Sequence, residues 1–133
     1  MCSSCINSSK AHKTDSTQSE IQQFDNAPLV HIVLLKVKEN IESKKLIEEI
    51  EKLNGIPGLV NLEVGTFKDL GDTRALSAYS VIIQMRFENE KDYQTYQQHP
   101  IHLALKENTK SYMAGPPSTY DYWKVEIENA VNK

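Results

Sequence analysis

The chain has 133 residues, 25% of them charged and 39% apolar, with a formal net charge of −3 at pH 7. That length fits one domain, which buries roughly two-thirds of its unfolded surface and needs neither metal nor disulfide for its core. The acidic balance and the lack of a basic cluster beyond Lys44-Lys45 argue against a nucleic-acid binder.

Residues 1–27 read as a flexible polar leader, with Ile6, Ile21 and Phe24 isolated among polar neighbours. Cys2 and Cys5 are the only cysteines and form a nominal CxxC. A redox pair of that kind opens a helix beside a strand, whereas a long Ser-, Lys- and Gln-containing stretch follows here. Zinc needs two further ligands at matched spacing, which the histidines do not supply. No metal and no cofactor is therefore expected. Asn7-Ser8-Ser9 fits a short glycosylation sequon that nothing else requires, and His12 has no visible role. Ser3-Ser4-Cys5 resembles the lipidated junction of a bacterial lipoprotein, yet no charged and apolar signal segment precedes it. The compartment read from the sequence is cytoplasmic. The alternative is a periplasmic or membrane-anchored lipoprotein through Cys5, if the given start is truncated. No run reaches the ~20 apolar residues of a bilayer span.

The folded domain is expected over residues 28–128, with 129–133 as a tail. Leu29 to Val37 is nearly continuous in apolar and β-branched residues, the pattern of a strand covered on both faces. Leu29, His31, Val33, Leu35 and Val37 share one face; Val30, Ile32, Leu34 and Lys36 share the other. Ser43 is a plausible N-cap for a helix carrying Leu46, Ile47, Ile50 and Leu53 at helical spacing. Asn54-Gly55 closes it, with Gly55 taken as the left-handed terminator, and Pro57-Gly58 completes the turn. Leu59 to Phe67 alternates as a second strand, and residues 68–77 form a loop.

Tyr79 to Phe87 reads as a third strand, with Tyr79, Val81, Ile83, Met85 and Phe87 on one face. Asn89 caps the next helix, which carries Tyr93 and Tyr96 and breaks at Pro100. Helical spacing resumes through Ile101, Leu103, Ala104 and Leu105 until Gly115-Pro116-Pro117. Tyr120 to Ile127 is the closing strand. Strand, helix, strand, strand, helix, strand is the order of a ferredoxin-like α+β fold: a four-stranded antiparallel sheet with helices on one face. Helices cover one side only, so the apolar open face predicts a homodimer with two sheets facing each other.

Tyr96 and the run His99-Pro100-Ile101-His102 carry the chemistry, together with His31 on the first strand. A strand histidine and a helix histidine can meet between sheet and helices, once per protomer. An imidazole with an ordinary pKa near 6.5 removes an acidic proton beside a carbonyl, and a phenol polarises that carbonyl oxygen. Each residue also has a scaffold role. His99, before proline, shapes and caps the helix break; His102 bonds a backbone carbonyl across the break or the Tyr96 side chain; His31 lines a core or pocket wall. Val33, Leu35, Tyr79, Val81 and Ile83 share the strand faces of such a pocket and are candidate ligand contacts. Tyr93, Tyr120, Tyr122 and Trp123 read as core or interface aromatics. No phosphate-binding glycine loop and no nucleophile elbow is present.

His31-Ile32-Val33-Leu34-Leu35-Lys36-Val37-Lys38, the Gly55-Ile56-Pro57-Gly58-Leu59 turn, Tyr96 with His99-Pro100-Ile101-His102, and Tyr120-Asp121-Tyr122 together resemble the stress-responsive A/B barrel (Dabb) family over about residues 29–126. The resemblance implies a homodimeric α+β barrel without one fixed activity. Plant relatives include stress-induced proteins and a polyketide cyclase of the olivetolic acid cyclase type. By that similarity Tyr96 and His102 take the cyclase's catalytic positions and His31 its first-strand histidine, whereas Ser80 replaces a further histidine. Three functions follow as expectations. The first is a protein binding a small apolar or carbonyl-containing molecule near His31, Tyr96 and His102. The second is a cofactor-independent cyclase or isomerase with His102 as general base, and the third a structural assembly unit.

Overall fold

In the computed structural model of the chain, residues 26–128 are described. Cys2, Cys5, the Asn7 sequon and His12 lie outside them. The elements run β1 (Leu29–Leu35), α1 (Ser43–Glu51), a 3₁₀ turn (Lys52–Gly55), β2 (Leu59–Thr66), β3 (Val81–Phe87), α2 (Glu90–Gln98), α3 (Pro100–Thr109), a second 3₁₀ turn (Lys110–Tyr112) and β4 (Ser118–Trp123). The sheet order is β2-β3-β1-β4, antiparallel throughout. This is the ferredoxin-like α+β arrangement that the element order predicts.

The core lies between the sheet and the helices. Leu46, Ile50, Leu53 and Ile56 pack down from the α1 side onto Leu29, Leu35, Ile83, Met85 and Phe87 of the sheet. Residue partners fix the faces: His31 stands opposite Met85 and Asp121, Val33 opposite Ile83 and Thr119. Ile32 and Val30 stand opposite Tyr120 and Tyr122, which lie on the open face and are 65% and 36% exposed. Among the described residues, no helix is long and apolar enough to cross a membrane.

Three local expectations need correction. Glu42, not Ser43, is the N-cap of α1, and no side chain bonds the first turn. Gly55 is not left-handed, because only Gly58 and Gly71 have positive φ among the described residues. The helix tightens into a 3₁₀ turn instead, and Gly55 is small because a Cβ there would come 3.1 Å from Ile101 Cδ1 of α3. The third and fourth strands are also shorter than expected, starting at Val81 and ending at Trp123.

Gly58 is the glycine the turn requires. Its φ is +90°, and a Cβ would lie 2.9 Å from Asp92 Cβ on α2. Strain and collision add, so Gly58→Ala should cost about 1–3 kcal/mol. Urea midpoints of the two proteins measure it, and a neutral result would mean that the turn relaxes freely.

Candidate functional site

The break between α2 and α3 begins the site. Asn89 caps α2, accepting a hydrogen bond from the Asp92 amide at 2.9 Å. At the other end His99 is extended (φ −68°, ψ 138°), as a residue before proline must be. Its Nδ1 accepts from the Ile101 amide at 3.1 Å, making His99 the N-cap of α3, and Pro100 fills the first turn where no amide donor is needed. His99 therefore serves the helix break.

The reorientation at this break stacks the rings of Tyr96 and His102, one from each helix. Their centroids are 4.2 Å apart with an interplanar angle of 22°. Tyr96 is 2% exposed and sits on Phe87 at 5.4 Å. His31 rises from β1 to meet two tyrosines edge-on, 5.7 Å from the Tyr96 ring and 5.1 Å from Tyr93. Strand and helix histidines thus reach one place.

Around them is a cavity of about 240 Å³ lined by His31, Val33, Leu35, Ile83, Tyr96 and His102, with Leu46, Ile50, Leu53, Tyr93, Gln97 and Leu105 completing most of the wall. The volume falls just below the ~300 Å³ lower end of drug-sized sites, so the space suits a small ligand. Tyr79 and Val81 are not brought to it. Because β3 starts two residues late, the alternation fails at Tyr79, whose hydroxyl bonds Ser118 Oγ while Lys36 Nζ lies 5.1 Å above its ring. Val81 lines a separate recess with Val37, Leu46 and Phe67. Among the described residues no three His, Cys, Asp or Glu side chains converge to hold a metal.

Hydrogen bonds set the state of each polar group. His102 Nδ1 donates to the Gln97 carbonyl at 3.2 Å, so in the neutral ring Nε2 carries the lone pair. Burial pushes the His102 pKa below the ordinary imidazole value; Lys106 and His31 push the same way, against the Gln97 carbonyl. The neutral ring, the form able to take a proton, is favoured. Burial likewise raises the Tyr96 phenol, helped by Tyr93 and Asp121, so it stays a hydrogen-bond donor. Its hydroxyl bonds no described residue, yet no buried polar side-chain atom lacks a partner. The Oη must therefore reach open space. His31 Nδ1 donates to Asp121 Oδ1, which fixes the ring from the opposite strand.

Asp121 thus orients the His31 ring, and is visible in the sequence only as the middle of the Tyr120-Asp121-Tyr122 run. Its pairing with His31 spans 90 residues, and only the β1–β4 register brings them together. Tyr93 reads from the sequence as a core aromatic, and nothing there singles out Gln97. Their mutual hydrogen bond, from Gln97 Nε2 to Tyr93 Oη, closes one wall. The i, i+4 spacing is the available signal.

Two outcomes follow. The neutral His102 contributes stability that is fully present above the unfolded imidazole pKa near 6.5 and is lost as pH falls below it toward the lowered native value. Urea unfolding from about pH 7.5 to 5 should therefore weaken the wild type more than His102→Gln; equal slopes would contradict the burial argument. Tyr96→Phe should change stability by less than about 0.5 kcal/mol, because the hydroxyl has no described protein partner. It should weaken a carbonyl ligand about fivefold, the value of one neutral hydrogen bond. Calorimetric unfolding and binding titration separate the two effects.

The profile of the family described as Stress responsive A/B Barrel Domain matches residues 29–121. A stress-response A/B barrel domain-containing protein from Arabidopsis thaliana is 29% identical over 75 residues, which are 56% of this chain and 28% of that protein. The match therefore spans little more than a quarter of that curated relative. Among solved structures, a dimeric ferredoxin-like protein from Thermobifida fusca superposes with a TM-score of 0.57 at 24% identity, covering 72% of this chain and 90% of that one. A hydroxynitrile lyase from Passiflora edulis reaches 0.63 at 17% identity, covering 77% of this chain and 99% of the lyase. At these identities the structural likeness concerns the fold.

Proposed function

The chain belongs to the stress responsive A/B barrel domain family, and from that premise we propose that it is a homodimer binding a small apolar or carbonyl-containing molecule beside His31, Tyr96 and His102. One observation carries the reading: a cavity with apolar walls in which Tyr96 Oη and His102 Nε2 are left without an assigned protein partner. A scaffold role alone would have paired or packed these groups. Dimerisation is supported by the exposed Tyr120 and Tyr122 on the open face and by the dimeric Thermobifida fusca neighbour.

The test is a panel of small aromatic and β-keto compounds followed by amide NMR, with light scattering for mass. The proposal requires shifts clustered at Tyr96, His102 and Val33, and a mass twice that of the chain. Shifts confined to the outer surface, or a monomer, would count against it.

A second reading has its own support. The tautomer set by Gln97 and the lowered His102 pKa favour a general base, so the same cavity suits a cofactor-independent isomerase or cyclase acting on a carbonyl compound. The fold neighbour from Passiflora edulis is itself a lyase, which supports catalysis on this scaffold.

A further inference from the structure

The cavity does not end at His102. It adjoins a groove of about 460 Å³, and the two share Leu35, Lys106, Thr109, Met113 and Pro117 along their linings. The outer groove adds Lys110, four residues beyond Lys106 and first in the 3₁₀ turn that continues α3, so both lysines line this one groove. Neither linked lining contains a carboxylate, in a chain with more acidic than basic residues. Among the described residues neither lysine forms an ion pair.

We propose that Lys106 and Lys110 form an anion subsite at the cavity mouth, so that the ligand is an elongated monocarboxylate whose apolar body lies against Val33, Ile83 and Tyr96. This rests on the reading of the cavity as a ligand site and extends it to the ligand's charge. The inner wall is mostly apolar and takes the body of the molecule; two unpaired cations at the mouth take its head. A carboxylate fits better than a phosphate. The groove flanks the C-terminal end of α3, whose carbonyls carry partial negative charge and oppose a dianion more strongly than a monoanion. The one helix start that the lining includes is that of the three-residue 3₁₀ turn Lys110–Tyr112, too short for the usual phosphate cradle. Because both lysines are exposed, the preference is modest: two screened attractions together correspond to about fivefold in affinity.

The experiment compares 4-phenylbutyrate with 4-phenylbutan-1-ol, an apolar body of the same size with and without charge. Dissociation constants come from amide NMR titrations of the wild type and of a Lys106→Met/Lys110→Met variant. Both lysines are solvent-exposed, and the variant's amide spectrum checks its fold. The carboxylate should bind the wild type about fivefold more tightly than the alcohol. That preference should shrink at high salt and vanish in the variant. Equal affinities for the wild type would overturn the anion subsite and leave the cavity reading intact. A preference that survives in the variant would also overturn it, by placing the carboxylate elsewhere. If neither compound moves the resonances of Tyr96 and His102, the cavity reading fails and the subsite with it.

Discussion

Replacing Phe87 by alanine should destabilise the domain by about 3–5 kcal/mol. Phe87 is fully buried at the end of β3, opposite Leu29 on one neighbouring strand and Leu59 on the other. Its ring also meets Tyr93 at 5.8 Å and Tyr96 at 5.4 Å. Truncation removes transfer free energy and leaves a void between the sheet and α2 that rigid strands cannot close. Against a typical stability of about 5–15 kcal/mol, this threatens folding itself. In urea, with a slope near 2 kcal/mol/M, the midpoint should fall by roughly 2 M at fixed protein concentration. A shift below about 0.5 M would mean that Phe87 is not the hinge between sheet and helices. The same loss would loosen the Tyr96–His102 stack, so ligand binding should weaken with stability.

The second large effect concerns chemistry. If the cavity catalyses carbonyl reactions, His102→Gln should slow exchange of the α-proton of ethyl 2-methylacetoacetate in heavy water by at least about 100-fold. In the proposed step His102 Nε2 takes the proton from the α-carbon. The electron pair moves to the carbonyl oxygen, which accepts a hydrogen bond from Tyr96 Oη. A deuteron from solvent then returns to carbon, regenerating the ketone. Glutamine keeps polarity and most of the volume but cannot act as the base, so amide spectra should show an intact fold. Exchange no faster than in buffer, or unaffected by the substitution, would remove the enzymatic reading and leave ligand binding as the function. Asp121→Asn should have a smaller effect than loss of His102, since Asp121 acts only by holding His31.

The chain announces its architecture through short-range patterns. The period-two faces of Leu29–Leu35 and the Asn89 cap each depend on neighbours a few residues away, and the strand register and the capping bond keep them. His99-Pro100 is readable for the same reason: proline's missing amide and the extended residue before it are local facts. Gly55 misleads because a helix-ending glycine serves either a left-handed turn or a close approach, and only the position of Ile101 decides between them. Tyr79 misleads because β3 begins only at Val81, so the period-two alternation that holds along the strand does not extend to it.

The site is legible as a set of residue types, less so as an arrangement. His31, Tyr96 and His102 are conspicuous polar groups in apolar surroundings, which is what marks them. Their stacking order, the Asp121 partner and the tautomer of His102 depend on strand register and on the angle of the α2–α3 break. Lys106 looks like any solvated helix lysine; its meaning comes from the groove beside it.

A ligand site at His102 is tested most directly by the tautomer and titration of that ring, followed by long-range ¹H–¹⁵N NMR with and without a bound small carbonyl compound. The expected result is a neutral ring at pH 7 with the proton on Nδ1, titrating below the ordinary imidazole value, and a ligand-induced shift at Nε2. A ring protonated on Nε2, or one that no compound in the panel perturbs, would contradict a ligand site at His102.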